Sequence, residues 1–347
     1  MTKTLIIGQG IAGTLLAWSL RKRGHTVHLA DGKLAGGSTV AAAGIVNPVT
    51  GKRFVKSWRF DEFYPIAKSV YQQLEQELGV PIWEERPILR LLGTVEEAND
   101  WSLRCAQDDY AGHLSETTDA GAWTDLLKPG FRYGLIRKSA RANIALLASA
   151  YRGYALSEGF FWENNLDNRE IESLLGTYDR VVFCEGWRAE NNPFFPEANF
   201  RVSKGEALII RFNPEHNAGP VPAEMLKKTL IVAPIGSGNY WVGSTYRWYF
   251  DDVQPSEDGR GFILNYLNEM FKAPFEVADH IAGIRPTMVD RRPVVERSVI
   301  NPRVFMFNGL GTKGALLAPF FAEQLADGWH TDDNALWATK MSRLRRY

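Results

Sequence analysis

Three glycines near the start of the chain, Gly8, Gly10 and Gly13, stand in the spacing G-x-G-x-x-G, and an acid, Asp31, follows downstream. Each glycine sits where a side chain would obstruct. The first allows a tight turn, the second lets backbone approach a pyrophosphate, and the third lets a helix pack closely on a strand. The N–H groups of Ile11 and Ala12 would open that helix with its positive end toward the phosphates. Asp31 can accept both hydroxyls of an adenosine ribose and would repel a 2′-phosphate. Capture of a dinucleotide is the chemistry that these residue types and spacings suit.

The elements needed to place these residues surround them. Thr4-Leu5-Ile6-Ile7 is a short apolar run bounded by glycine, as a buried parallel strand would be. Thr26 to Ala30 reads as the next strand, and Asp31 ends it. Strand, turn, helix, strand and acid are therefore in register. A signal peptide is the competing reading, since Lys3 precedes an apolar stretch running to Leu20. Three glycines interrupt that stretch, however, and Arg21-Lys22-Arg23 follows it where a small-residue cleavage site would be needed.

Composition narrows the class. At 347 residues the chain is long for one core, so two intertwined domains are expected. A formal net charge of zero points to neither nucleic acid nor an anionic membrane. No apolar run reaches the roughly 18 residues that span a bilayer. The two cysteines, Cys105 and Cys184, form no C-x-x-C, which argues against a disulfide scaffold or zinc site and for a reducing cytoplasm. The six histidines (His25, His28, His113, His216, His280, His330) show no ligand spacing, so no metal is expected. There is neither a serine-hydrolase elbow nor a P-loop.

Further along, residues 34–52 form a small-residue loop without helical period, suited to close approach of backbone to a ligand. Residues 58–80 read as a helix, with Phe63, Ile66, Ala67, Val70, Tyr71, Leu74 and Leu78 recurring at three and four, closed by Gly79 and Pro81. Ala142 to Leu156 reads as another helix. Phe160–Trp162 and Arg180–Cys184 read as strands. A strand-rich stretch follows at Glu206–Phe212, Thr229–Pro234 and Tyr240–Tyr246, with Gly236-Ser237-Gly238-Asn239 as a hairpin turn. Leu264–Phe271 reads as a short helix. The chain then returns to a strand, Arg303–Phe307, a glycine turn, Asn308–Gly314, and a helix, Ala315–Asp327. It thus begins and ends in nucleotide-binding style with antiparallel sheet between. The expected class is α/β (α+β overall): a Rossmann-type domain of residues 1–57, 140–200 and 280–347, with an antiparallel-sheet substrate domain of residues 58–139 and 201–279 inserted. Consecutive βαβ units would suit a nicotinamide enzyme; this discontinuity favours a flavin.

Several segments resemble the D-amino-acid oxidase and glycine oxidase-like family of FAD-dependent oxidoreductases. Gly37-Ser38-Thr39-Val40-Ala41-Ala42-Ala43-Gly44 is similar to the family's small-residue loop after the second strand. Gly283-Ile284-Arg285-Pro286 through Asp290-Arg291-Arg292-Pro293 resembles its G-x-R-P…D-x-x-P stretch, and Gly243-Ser244-Thr245 its G-x-T strand end. Gly309-Leu310-Gly311-Thr312-Lys313-Gly314 resembles its closing turn. Residues 81–139 carry no such motif. Glu185 departs from the family, which more often has a small residue before Gly186, near the cofactor. No cysteine follows Cys184, so FAD would be bound noncovalently.

The resemblance implies that Gly8, Gly10 and Gly13 serve the pyrophosphate and Asp31 the ribose. Ser38 and Thr39 would donate to phosphate or ribityl oxygens, and Ala43 and Gly44 would pass beside the ring. Gly309, Gly311, Thr312 and Gly314 would bring the chain close to the flat ring, with the helix after them offering its positive end. Lys313 adds a positive charge there or is simply solvated. Arg285, whose fork matches a carboxylate, would hold a substrate carboxylate or form a salt bridge at a domain junction. Tyr246 could wall the substrate pocket or serve as packing. The implied reaction is oxidation of the C–N bond of a small amino acid or N-substituted amino acid, by hydride transfer to flavin N5, with oxygen or another acceptor completing the cycle. A 2-hydroxy acid, a modified tRNA base, or FAD binding without turnover are the alternatives.

Overall fold

The computed structural model describes residues 1–213 and 219–329. His216, His330 and the rest of the expected first-domain segment past residue 329 lie outside the described residues.

Two large sheets share the chain. The first has six strands in the order Phe161–Trp162, Thr26–Ala30, Lys3–Ile7, Arg180–Phe183, Val304–Asn308 and Val294–Arg297. The first five run parallel and the last is antiparallel. Arg180–Phe183 and Val304–Asn308 are buried throughout, as central parallel strands covered on both faces must be. Helix Ile11–Lys22 covers one face beside helix Gly314–Asp327, and Arg21 and Lys22 in its last turn complement its negative end.

The second sheet has eight strands in the order Phe275–Arg285, Ser203–Phe212, Asn239–Gly243, Ile231–Gly236, Met225–Lys227, Ile88–Leu92, Arg132–Ile136 and Leu114–Thr117. It is antiparallel except where Met225–Lys227 pairs parallel with Ile88–Leu92. Three of its strands come from residues 81–139, where the sequence offered no motif.

Helix Phe60–Leu78 ends as the pattern requires, at Gly79 with φ 66°. Its assignment to the inserted domain needs correction. Its buried face (Phe63, Ala67, Val70, Tyr71, Leu74) joins the core formed by Leu15, Leu16, Phe320 and Phe321 under the first sheet. Residues 280–285, assigned to the first domain, instead continue the edge strand of the second sheet. The small-residue loop also holds a helical turn, Ser38–Ala41, and short strands Ile45-Val46 and Val49-Thr50.

Two element ends differ from the sequence pattern for reasons visible in the side chains. The strand expected to reach Tyr246 ends its regular ladder at Gly243, and the chain stays beside Ser203–Phe212 through a changed pattern in which Glu206 N donates to Thr245 Oγ1 at 2.9 Å and Thr245 N to Glu206 O at 3.0 Å, before Lys204 and Arg247 pair again. The short helix expected at 264–271 begins at Glu257. Ser256 caps it, and the fully buried carboxylate of Glu206 accepts from both Ser256 N and Ser256 Oγ at 2.8 Å.

Candidate functional site

One cavity of about 870 Å³ runs from the N-terminal glycine turn to the face of the second sheet. That size is at the upper end for a small-molecule or cofactor site. Gly8, Gly10, Ile11, Ala12, Asp31, Ser38, Thr39, Ala43, Gly44, Gly186, Gly311, Thr312, Lys313, Gly314 and Arg285 all line it. Gly13, Gly309 and Tyr246 do not.

The glycine turn is shaped by contacts that a side chain would break. A Cβ on Gly8, at φ 95°, would sit 2.5 Å from Cys184 O, and one on Gly13 would press into the backbone of Gly8. Gly13 is therefore a packing residue between helix and strand. Gly10 is the helix N-cap and has no side chain to offer. Thr39 Oγ1 reaches across to accept from Ile11 N at 3.0 Å. Asp31 closes the far end, accepting from Gln9 N at 2.7 Å and from Arg152 Nη2 at 2.8 Å. The backbone at Gly44 passes so close to the carbonyl of Ala142 that a Cβ would lie 2.8 Å from its carbon. Gly309 serves a similar purpose away from the cavity: a Cβ there would meet Met288 Cγ at 2.7 Å.

The second sheet roofs the other end. Its edge strand docks on the small-residue loop, with Ile284 N donating to Gly36 O at 2.9 Å. A Cβ on Gly283 would lie 3.0 Å from Ala41 Cβ. One transverse row of the sheet runs Lys227, Ile231, Gly243, Ala207, each register partner of the next and each lining the cavity. Small residues thus occupy the middle of the roof. Trp241 lies over Gly243 and ties the roof to the loop, its Nε1 donating to Ala41 O at 3.0 Å.

Arg285 is laid flat on this roof. Its guanidinium covers Gly205, where a Cβ would come within 2.6 Å of Nη1. Nη2 donates to Ser244 Oγ and, at 3.0 Å, to Thr245 O. The Tyr246 ring covers it 5.0 Å away and is itself 44% exposed. No carboxylate pairs with Arg285 among the described residues, and its Nη1 is buried without a partner. Burial lowers its pKa from 12.5.

Lys313 donates to Ser57 Oγ at 3.2 Å; burial, then Arg292 and Arg291, lower its pKa. Burial, then Arg90 and Lys313, push Lys227 down to about 8. Glu185 also borders the cavity, and burial raises its carboxyl above the ordinary 4.5 while the Asn192 amide, donating at 2.8 Å, opposes the shift. Among the described residues no three His, Cys, Asp or Glu side chains cluster as metal ligands. No described helix is long and apolar enough to cross a membrane.

These features suit FAD: a glycine turn and a helix start whose own N-cap, Gly10, has no side chain, for phosphates, a long cavity, and a bare sheet face for a flat ring. The family model described as FAD dependent oxidoreductase, DAO, matches residues 3–328. The chain belongs to the DAO family of FAD-dependent oxidoreductases. This DAO-family enzyme is 25% identical to glycine oxidase of Bacillus licheniformis, over 93% of this chain and 92% of that protein. It is 22% identical to the tRNA 5-methylaminomethyl-2-thiouridine biosynthesis bifunctional protein MnmC of Idiomarina loihiensis, over 92% of this chain but only 54% of MnmC. The chain thus spans about half the length of that relative. The crystal structure of glycine oxidase from Bacillus cereus superposes with a TM-score of 0.77 at 19% identity, covering 97% of each chain; this likeness speaks to the fold.

Sequence reasoning did not find Gly205, Lys227, Trp241 or Arg152. Lys227 and Gly205 lie in strands without a motif. Their only signal is the alternation that puts them on the same face as Ala207 and Ile231, and that needs the register to be known.

Proposed function

We propose that this enzyme oxidises the C–N bond of a small amino acid or N-substituted amino acid. The observation that carries this reading is Arg285: a buried guanidinium nitrogen without a partner, on a cavity wall, in an arginine whose other nitrogen is already fixed. A carboxylate satisfies that nitrogen with a charge-assisted hydrogen bond. When bound, FAD supplies the acceptor for the hydride that leaves the substrate's α-carbon. Arg285 fixes the carboxylate end, so the α-carbon is presented to the face roofed by Gly205, Ala207 and Gly243. A neutral amine lone pair drives hydride departure, and the resulting imine hydrolyses in water. Orientation supplies much of the rate, and Trp241 and Ile231 keep the reacting end dry.

Asp31 and Arg152 would hold the adenosine end, Thr39 and the first-turn amides the pyrophosphate, and Lys313 the polar edge of the ring. The test is an anaerobic titration of the flavin spectrum with amino acids and N-methyl amino acids. One panel member is expected to bleach the bands, and Arg285→Ala to raise the concentration required. Unchanged apparent affinity in that variant refutes the anchor.

The MnmC likeness supports a second reading, in which the amine is carried by a modified tRNA base. The zero formal charge argues against it, since phosphate contacts want a basic face. Salt-sensitive tRNA binding would be its signature.

A further inference from the structure

Lys227 has no part in holding the cofactor or in the anchor just described, yet it projects into the same cavity. It comes from the strand that pairs with Ile231 on one side and Arg90 on the other. No acid pairs with Lys227 or Lys313 among the described residues. The charged groups that act on it are cationic: Arg90 from the neighbouring strand and Lys313 from the closing turn. Arg90 is turned away, donating to Lys228 O and lying 3.9 Å from Glu97. A half-buried ammonium facing a cavity and crowded by like charge is a receptor for an anion, because only an anion offsets both its desolvation and the repulsion.

The glycine turn and helix start that would take the cofactor's phosphates belong to the first sheet and its covering helix, whereas Lys227 stands on the second sheet. The row of the roof that holds Lys227 also holds Gly243, two strands away, which is roughly 10 Å at the spacing of a β-ladder. Arg285 reaches the end of that same Gly243 strand through Ser244. The two cations therefore stand at opposite sides of one apolar patch. We propose that the substrate carries two carboxylates, one held by Arg285 and the other by Lys227, so that the enzyme acts on an acidic or N-carboxyalkyl amino acid. This rests on the anchor reading of Arg285. Lysine suits the second position because a mobile point charge accepts carboxylates at varied distances, whereas the rigid fork fixes one geometry.

The test uses acids without an amine, so that no turnover intervenes: acetate against malonate, succinate and glutarate, titrated into the FAD-loaded enzyme and read as perturbation of the flavin spectrum. At least one diacid is expected to bind ~10-fold more tightly than acetate, the gain of one added charge-assisted contact. Lys227→Met should remove that margin and leave acetate binding within about twofold, while Lys227→Arg should keep most of it. The margin should also fade as pH rises through about 8, where Lys227 loses its proton; burial lowers the facing Lys313 as well, so the fade must be absent in Lys227→Met, while the guanidinium groups of Arg90 and Arg285 keep their charge. Diacids that bind no better than acetate, or a margin that survives Lys227→Met, overturn the proposal. Acetate binding that survives Arg285→Ala refutes the anchor reading, and the two-point site with it, through a different variant and ligand.

Discussion

Gly205→Ala tests whether Arg285 works because the sheet beneath it is bare. The new Cβ would stand 2.6 Å from Nη1 and nearer still to Cζ and Nη2, so the guanidinium must lift from the roof. Residue 205 is not among the positive-φ glycines, so alanine fits the strand, and the reduced freedom of the unfolded chain adds ~0.5–1 kcal/mol of stability. The lifted arginine loses its bonds to Ser244 Oγ and Thr245 O and misplaces the edge offered to a carboxylate. Each hydrogen bond to a charged group contributes about 1.5–3 kcal/mol. Losing one or two spans about 1.5–6 kcal/mol, and the middle of that range, about 2–4 kcal/mol, is ~30- to ~1,000-fold in kcat/KM at about 1.4 kcal/mol per factor of ten. The assay is kcat/KM with the best amino acid substrate, alongside flavin content and Tm. The expected pattern is a fall of at least ~30-fold with Tm shifted by only a few degrees. Added to Arg285→Lys, Gly205→Ala should cause little further loss, because both remove the same contact. Wild-type kcat/KM in Gly205→Ala, or losses that multiply in the double variant, would refute the reasoning.

Gly13→Ala should lower both Tm and flavin content, because its Cβ would meet Gly8 backbone, with the carbonyl carbon only 3.1 Å away, and overpacking of this kind destabilises by roughly 1–3 kcal/mol or more. Thr39→Val removes the acceptor of Ile11 N; FAD affinity by fluorescence titration should weaken about fivefold, the equivalent of ~1 kcal/mol. Glu185 gives a pH signature. Its folded pKa is raised above 4.5 by burial, so the folded state binds the proton more tightly and loses stability as pH rises above that value. In urea unfolding of the apoprotein, Glu185→Gln should therefore gain on the wild type between about pH 5 and about pH 8; equal curves at both would remove the assignment.

The cofactor end of the site was legible because its constraints are local. Gly13 meets Gly8 backbone within the same strand–turn–helix, and Asp31 is delivered by the adjacent strand, so spacing alone reports them, although the Cys184 carbonyl that crowds Gly8 comes from a distant strand. Arg285 and Lys313 were legible through short motifs, although their partners were not. Ser244, Gly205 and Lys227 act through cross-strand register, which alternation along one strand does not encode. The misassigned helix Phe60–Leu78 shows the same limit. Its stripe at three and four states that one face is buried, without stating which of two cores receives it. The start of the helix at Glu257 carries a local signal in the N-cap Ser256, but the carboxylate that holds this serine, Glu206, lies fifty residues upstream in the chain.

The order of strands in the first sheet has a consequence for biosynthesis. Lys3–Ile7 is made long before its neighbours: Arg180–Phe183 follows only after most of one insertion, and Val304–Asn308 only after another. Closing those long loops makes assembly slow relative to chains dominated by local contacts. Until then a nascent chain carries apolar parallel strands with bare edges, the kind of surface that recruits other chains. Lys313 and the closing turn arrive later still, so a chain truncated before them lacks one wall of the cavity. Flavin retention therefore reports on whether a molecule has been completed, and flavin supply in the growth medium should govern how much intact protein survives proteolysis, since a ligand that binds only the folded form draws the equilibrium toward it.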